Sequence, residues 1–208
     1  LLPGIRHIDF NCDFCLRQIT TRTAAVIVET VQAEWGVRPP HPGYLPALRA
    51  RCDEVGALLI FDEIQVGFGR TGSLFAFEQY EVVPDILLLA KGMGGGMPIG
   101  AFVSSKAFTT ALSEHPILGH ITTFGGHPVN CAAALATLQT LLKDSSIVGR
   151  VKEKERQFRY HLQHPAIQEI RSAGLLMAVD LGDAVRVQEV IRYCLSRGLI
   201  TDWFLFND

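Results

Sequence analysis

Two short runs constrain this chain more than anything else in it: "LLIF" at 58–61, followed by Asp62, and "LLLA" at 87–90, followed by Lys91. Neither run alternates apolar with polar residues, so neither describes a strand with one wet face. Continuous apolar runs of this length, separated by helical patterns, belong to a parallel sheet covered on both faces. "AAVIVETV" (24–31) reads as another such strand and "GAFVSS" (100–105) as a further short one. "GYLPALRARCDEVG" reads as a helix, with Leu45, Leu48 and Cys52 on one face and Gly56 as its stop. "PVNCAAALATLQTLL", from Pro128 to Leu142, reads as a long, alanine-rich, buried helix.

Composition then shifts. "KDSSIVGRVKEKERQFRYHLQHP" reads as one amphipathic helix with a solvated Lys/Glu face. "IQEIRSAGLLMAVDLG" offers two strands around Gly174, "DAVRVQEVIRYCLSRG" a helix, and "LITDWFLFND" a final strand. The expected fold is therefore α/β: a large domain with a mostly parallel sheet over 1–143, and a smaller α/β domain over 144–208.

The chain has 208 residues, 48% hydrophobic and 19% charged, with a net charge of −2, which is the profile of a soluble globular chain with a sizeable core. No Lys/Arg stripe suggests a nucleic-acid or membrane-surface role. No apolar run approaches the roughly 18 residues of a membrane span. The opening "LLPGIRHIDF" lacks the pattern of a signal peptide, and both ends read as cut. The 5 cysteines are odd in number and scattered, which suits a reducing cytoplasm better than a disulfide framework. Cys12 and Cys15 make a C-x-x-C, but no second pair follows at zinc-finger spacing and no strand–helix junction surrounds it. Neither a metal nor a redox role is expected of it.

The chemistry is expected where the two runs end. Ligands of open parallel sheets bind beyond the carboxyl ends of the strands, so Asp62 and Lys91 would face one crevice. A buried lysine is pushed toward its neutral, nucleophilic amine, and a buried aspartate needs a cationic partner. Pyridoxal phosphate (PLP) fits this pair, with Lys91 forming the Schiff base and Asp62 keeping the ring nitrogen protonated. Gly92, Gly94, Gly95 and Gly96 would let the backbone turn close by. The pattern alone leaves a plainer account open, with a lysine snorkelling from a strand end, Asp62 capping the next turn, and a glycine loop. "LLIFDE" also has the look of a magnesium-binding strand of a P-loop ATPase, but the required G-x-x-x-x-G-K-[ST] is absent from the sequence.

"LLIFDEIQVGFGRTG", "VPDILLLAKGMGGGMPIGA" and "HITTFGGHPVNCAAALATL", in that order, resemble the class III (omega-amino acid) PLP-dependent aminotransferases, a group that includes ornithine, acetylornithine and 4-aminobutyrate aminotransferases. The upstream "AAVIVETVQAEWGV" resembles a segment of the same family. The resemblance implies the type I PLP fold, here a truncated large domain plus part of the small one. It implies transamination from an omega-amino donor, of ornithine or acetylornithine type, to a 2-oxo acid such as 2-oxoglutarate. Lys91 matches the Schiff-base lysine and proton shuttle, and Asp62 the ring-nitrogen partner. Gln65 matches a glutamine near the cofactor's phenolic oxygen. Thr123 matches a threonine that reaches the phosphate of the neighbouring subunit's cofactor, which implies a homodimer with shared sites. Glu34 resembles the glutamate that gates a substrate-binding arginine. His120 and His127 are expected to be structural, and Arg70 to shape its loop.

Several positions depart from the family pattern: Thr30 where Pro is usual, Ala33 where Gly is usual, Trp35 in place of a small residue, Val66 for Thr and His127 for Asn. Trp35 beside Glu34 would enlarge an aromatic wall near the donor. Family chains are roughly twice this long, and neither their phosphate loop, their ring-stacking aromatic nor their C-terminal substrate arginine is matched here. The alternatives kept open are a 4-aminobutyrate aminotransferase or another member of the class, such as an aminomutase or decarboxylase, and a non-catalytic remnant lacking a complete cofactor site.

Overall fold

The apolar runs do become strands. The computed structural model describes residues 3–114, 116–117 and 120–204. Strands β1 (Ala25–Glu29), β2 (Leu58–Asp62), β3 (Ile86–Leu89) and β4 (Ala101–Ser104) form one sheet in the order β1-β2-β3-β4. The first two pairings are parallel and the last is antiparallel. The register sets Glu29 opposite Asp62 and Asp62 opposite Leu88, so the carboxyl ends of three neighbouring strands lie level.

Pleating divides the sheet into two faces. Leu59, Phe61, Leu87 and Leu89 share the buried one, with Val26 and Val28 packed beside them. Helix α1 (Tyr44–Val55) covers this face with Tyr44, Leu45, Leu48 and Cys52, and Gly56 ends it in the left-handed region at φ 76°. A 3-10 turn, Asp13–Gln18, adds Leu16, and Ile19 follows it into the same core. The opposite face differs from the expectation of two covered faces. There Ile27 is 66% exposed and Phe102 49%, because α1 and the 3-10 turn both pack on the same side.

The second sheet is a hairpin of β5 (Glu169–Ala173) and β6 (Leu176–Asp180). Ala173 and Ala178 join Val31, Val37, Val66 and Ala76 in a core of their own, so the hairpin is docked on the segments that follow β1 and β2. Arg171 Nε donates to the Gly36 carbonyl at 2.6 Å, and the Leu175 amide donates to the Arg70 carbonyl at 2.9 Å. Gly174 makes this fit possible: it sits at φ +65°, and a Cβ there would come within 2.7 Å of the Arg70 carbonyl and the Thr71 backbone.

Helices α2 (Lys106–Ser113), α3 (Pro128–Lys143), α4 (Ser145–Gly149), α5 (Val151–His161) and α6 (Ala184–Ser196) complete the regular structure. Three expectations are corrected here. Helix α3 is not buried: Ala134 is its one buried residue, while Leu135 and Leu142 are 55% and 63% exposed. Its alanine content makes it apolar without making it a core helix. The charged amphipathic helix is two helices, interrupted at Arg150, with Asp144 capping the first by accepting from the Ser146 amide at 3.0 Å. The expected final strand is not formed at 199–204, and the remainder of the segment expected to form it lies outside the described residues.

Cysteine use also departs from expectation. Cys12 and Cys15 are joined by a disulfide, because the 3-10 turn between them brings their Cα atoms to 5.2 Å. Cys52, Cys131 and Cys194 are free. Among the described residues no helix is long and apolar enough to cross a membrane.

Candidate functional site

The level strand ends gather a group of ionisable side chains. Asp62 closes β2 half-buried, and its Oδ1 accepts from the Ile64 amide at 2.9 Å. Among the described residues no donor reaches its other oxygen, which leaves one carboxylate oxygen for an incoming cation. Glu29 closes β1 and accepts from the Ala33 amide at 2.9 Å. Burial raises its pKa; the Ala33 hydrogen bond opposes this, the charges of Asp62 and Glu34 add to the rise, and Lys91 works against it. Glu29, Asp62, Glu34 and Lys91 therefore form one electrostatic neighbourhood.

Lys91 differs from its expected setting. Strand β3 stops at Leu89, Ala90 is extended, and Lys91 opens the 3-10 turn Lys91–Gly94 with φ 45°. The side chain is exposed rather than buried. A left-handed conformation at a non-glycine residue costs of order 1–3 kcal/mol and persists only where the surroundings impose it. Helix α3 does so by packing on this turn, and Asn130 Nδ2 donates to the Pro98 carbonyl at 2.7 Å just beyond it. Gly95 makes the contact close: it lies at φ +56°, and a Cβ there would stand 2.3 Å from Thr137 Oγ1 on α3.

Gln65 and Glu34 meet directly, with Gln65 Nε2 donating to Glu34 Oε1 at 2.7 Å. Trp35 is 45% exposed, and the Arg38 guanidinium lies 5.4 Å from the centre of its ring. Thr123 stands in the exposed turn ahead of α3, and no hydrogen bond or ion pair among the described residues joins it to the Asp62–Lys91 group. His120 and His127 are exposed in the same stretch. The Arg70 carbonyl receives the Leu175 amide from the hairpin, and Arg70 also borders a crevice of about 420 Å³. Gln65, Phe68, Lys91, Val148 and Lys154 line that crevice as well, whereas Asp62 and Glu34 do not.

Glu63 escaped the sequence reading. It follows Asp62, so pleating sends it to the opposite face, where it is 0% exposed. It accepts from the amides of Ala76 at 2.7 Å and Phe77 at 2.6 Å and from the Thr30 hydroxyl at 3.3 Å. Burial, opposed by these three hydrogen bonds, pushes its pKa up to about 7. The signal was available in the second acid of "DE", which strand alternation places in the core.

An accessible amine, a carboxylate with one uncommitted oxygen, and a tight glycine turn at the carboxyl end of the sheet suit a carbonyl-bearing cofactor with a basic ring nitrogen. These residues fit PLP. A family profile described as aminotransferase class-III matches residues 11–204, and the chain belongs to that family, whose members are PLP-dependent. The putrescine aminotransferase of Pectobacterium atrosepticum is 47% identical over 194 residues, covering 86% of this chain and 41% of that protein. An ornithine aminotransferase of Toxoplasma gondii, solved with partial occupancy of PLP at its active site, superposes with a TM-score of 0.88 at 37% identity, over 100% of this chain and 50% of that one. An acetylornithine aminotransferase of Elizabethkingia anophelis gives 0.88 at 30% identity, over 99% and 53%. The chain thus spans about half the length of its solved relatives and less of the curated one.

Proposed function

We propose that the protein is a transaminase that takes an amino group from an omega-amino donor of ornithine or acetylornithine type and delivers it to a 2-oxo acid such as 2-oxoglutarate. The observation that carries this reading is the placement of Asp62 at the end of β2 and of Lys91 just beyond the end of β3, its parallel neighbour. PLP, when bound, supplies an electron-accepting ring that makes the donor's amine-bearing carbon acidic. Lys91 Nζ would hold the cofactor and, once displaced by the donor's amine, would be free to take the proton from that carbon and to deliver it on the cofactor side. The uncommitted oxygen of Asp62 would accept from a protonated ring nitrogen and favour its cationic form. Glu34, fixed by Gln65, presents a carboxylate at the substrate side and acts as the gate.

Thr123, on its exposed turn, is assigned to the phosphate held by a second copy of the chain, in a homodimer with shared sites. The division at 143/144 into a large and a small domain belongs to the same reading, as does a cytoplasmic location. A second reading has a specific observation behind it: the 47% identity to a putrescine aminotransferase favours a diamine donor.

A donor panel tests both. The native protein, loaded with PLP, is given ornithine, acetylornithine, putrescine or 4-aminobutyrate with 2-oxoglutarate, and glutamate formation is followed. Amine-dependent glutamate that vanishes in a folded Lys91→Ala variant supports the proposal, and the preferred donor separates the two readings. Turnover that persists in Lys91→Ala overturns the assigned mechanism. Carbon dioxide release, or isomerisation of the donor without glutamate, points instead to a decarboxylase or an aminomutase.

A further inference from the structure

We infer that Cys12 and Cys15 form a reversible thiol-exchange site, opened by dithiol reductants and closed by disulfides. The pair is bonded, and its two sulfurs occupy unlike settings. Cys12 is half-buried and its Sγ accepts from the Cys15 amide at 3.2 Å. Cys15 is 7% exposed, with its Sγ 3.9 Å from Asp9 Oδ2. Cys12 is thus the reachable sulfur and Cys15 the sheltered one.

A role as a structural staple is the weaker account of this bond. A link between positions three apart removes little chain entropy compared with one that closes a long loop. The turn is also anchored without it: Leu16 and Ile19 sit in the core against α1, and the Ile19 carbonyl accepts from Arg51 Nε at 2.9 Å and Nη2 at 2.6 Å. Opening the bond leaves those contacts in place, so exchange does not require unfolding.

The chemistry balances as ordinary exchange. A thiolate of the reductant attacks Cys12 Sγ, forming a mixed disulfide as the bond to Cys15 breaks. The Cys15 sulfur leaves with the electron pair and takes a proton from water. The reductant's second thiolate then attacks its own sulfur in the mixed disulfide, releasing Cys12 as a thiolate and leaving the reductant oxidised. Oxidation runs the same steps in reverse, with Cys12 attacking the incoming disulfide and Cys15 displacing the mixed partner.

The test needs no variant to begin. The native protein is equilibrated in dithiothreitol buffers of graded redox ratio, quenched in acid, alkylated and peptide-mapped. Cys12 and Cys15 are expected to become labelled together, the labelled-to-linked ratio changing about tenfold for each tenfold change in the buffer's dithiol-to-disulfide ratio. Cys131, exposed and free, reports full labelling throughout. In Cys15→Ser, glutathione disulfide is expected to place one adduct on Cys12, and in Cys12→Ser the adduct on Cys15 forms at least about tenfold more slowly because that sulfur is buried. Full alkylation of both cysteines across the whole series overturns the inference. So does one zinc ion retained per reduced chain with oxidants unable to close the pair; Asp9, Cys12 and Cys15, whose ligand atoms lie within 4.8 Å of one another, would then be a metal site.

Discussion

Replacing Glu63 by glutamine changes how stability responds to pH, and the structure gives the size of the effect. Glu63 is wholly buried and accepts three hydrogen bonds, yet its pKa stands at about 7 against an ordinary value of 4.5. A carboxyl whose pKa is raised on folding binds more protons folded than unfolded, so stability falls as pH rises from about 4.5 through about 7. At about 1.36 kcal/mol per pH unit, that rise corresponds to about 3 kcal/mol lost between pH 4 and pH 8. Glutamine does not titrate, but its NH₂ would face one of the Ala76 or Phe77 amides, donor against donor, at a cost of about 1–3 kcal/mol. Relative to the parent the variant therefore gains about 3 kcal/mol between pH 4 and pH 8, being the less stable protein at pH 5 and matching or exceeding the parent toward pH 8. Urea unfolding of both proteins at several pH values reads this directly. All other titrating groups, Glu29 included, are common to the two proteins and cancel in the difference. Parallel stability–pH curves for parent and Glu63→Gln would refute the reasoning.

Three further outcomes are expected. Gly174→Ala forces a Cβ to within 2.7 Å of the Arg70 carbonyl from a backbone at φ +65°, and should lower the urea-derived stability by about 2 kcal/mol. Leu48→Ala empties a site 0% exposed beneath the sheet and should cost about 3 kcal/mol by the same assay; a loss below about 1 kcal/mol would mean that α1 is not the principal cover. Asp62→Asn keeps an oxygen for the Ile64 amide but removes the charge, so donor turnover should fall by about a hundredfold or more while the fold, read by circular dichroism, stays intact.

The parallel core of the sheet was legible because "LLIF" and "LLLA" offer no polar face, and α1 because its apolar spacing and Gly56 stop agree. Coverage was not legible, since an unbroken apolar run has the same appearance whether its second face is packed or open, as Ile27 shows. The split between α4 and α5 had a signal in Gly149, which the charge pattern on either side obscured. At the site, Asp62 was singled out by its place at the end of an apolar strand, Gln65 and Glu34 only by the family resemblance; the hydrogen bond between these two had no signal in the spacing. The exposure of Lys91 was not readable, because it depends on where β3 stops: ending at Leu89 rather than Ala90 lifts the lysine onto the turn held by α3. Spacing did not reveal the Cys12–Cys15 bond, which follows from the local 3-10 geometry.

The central claim is that Lys91 is the amine that holds PLP. Incubation of the native protein with PLP, reduction with borohydride and peptide mapping tests it directly. The account predicts one dominant adduct on Lys91, reduced sharply in Asp62→Asn. Adducts scattered over Lys106, Lys143, Lys152 and Lys154, with none favoured at Lys91, would contradict it.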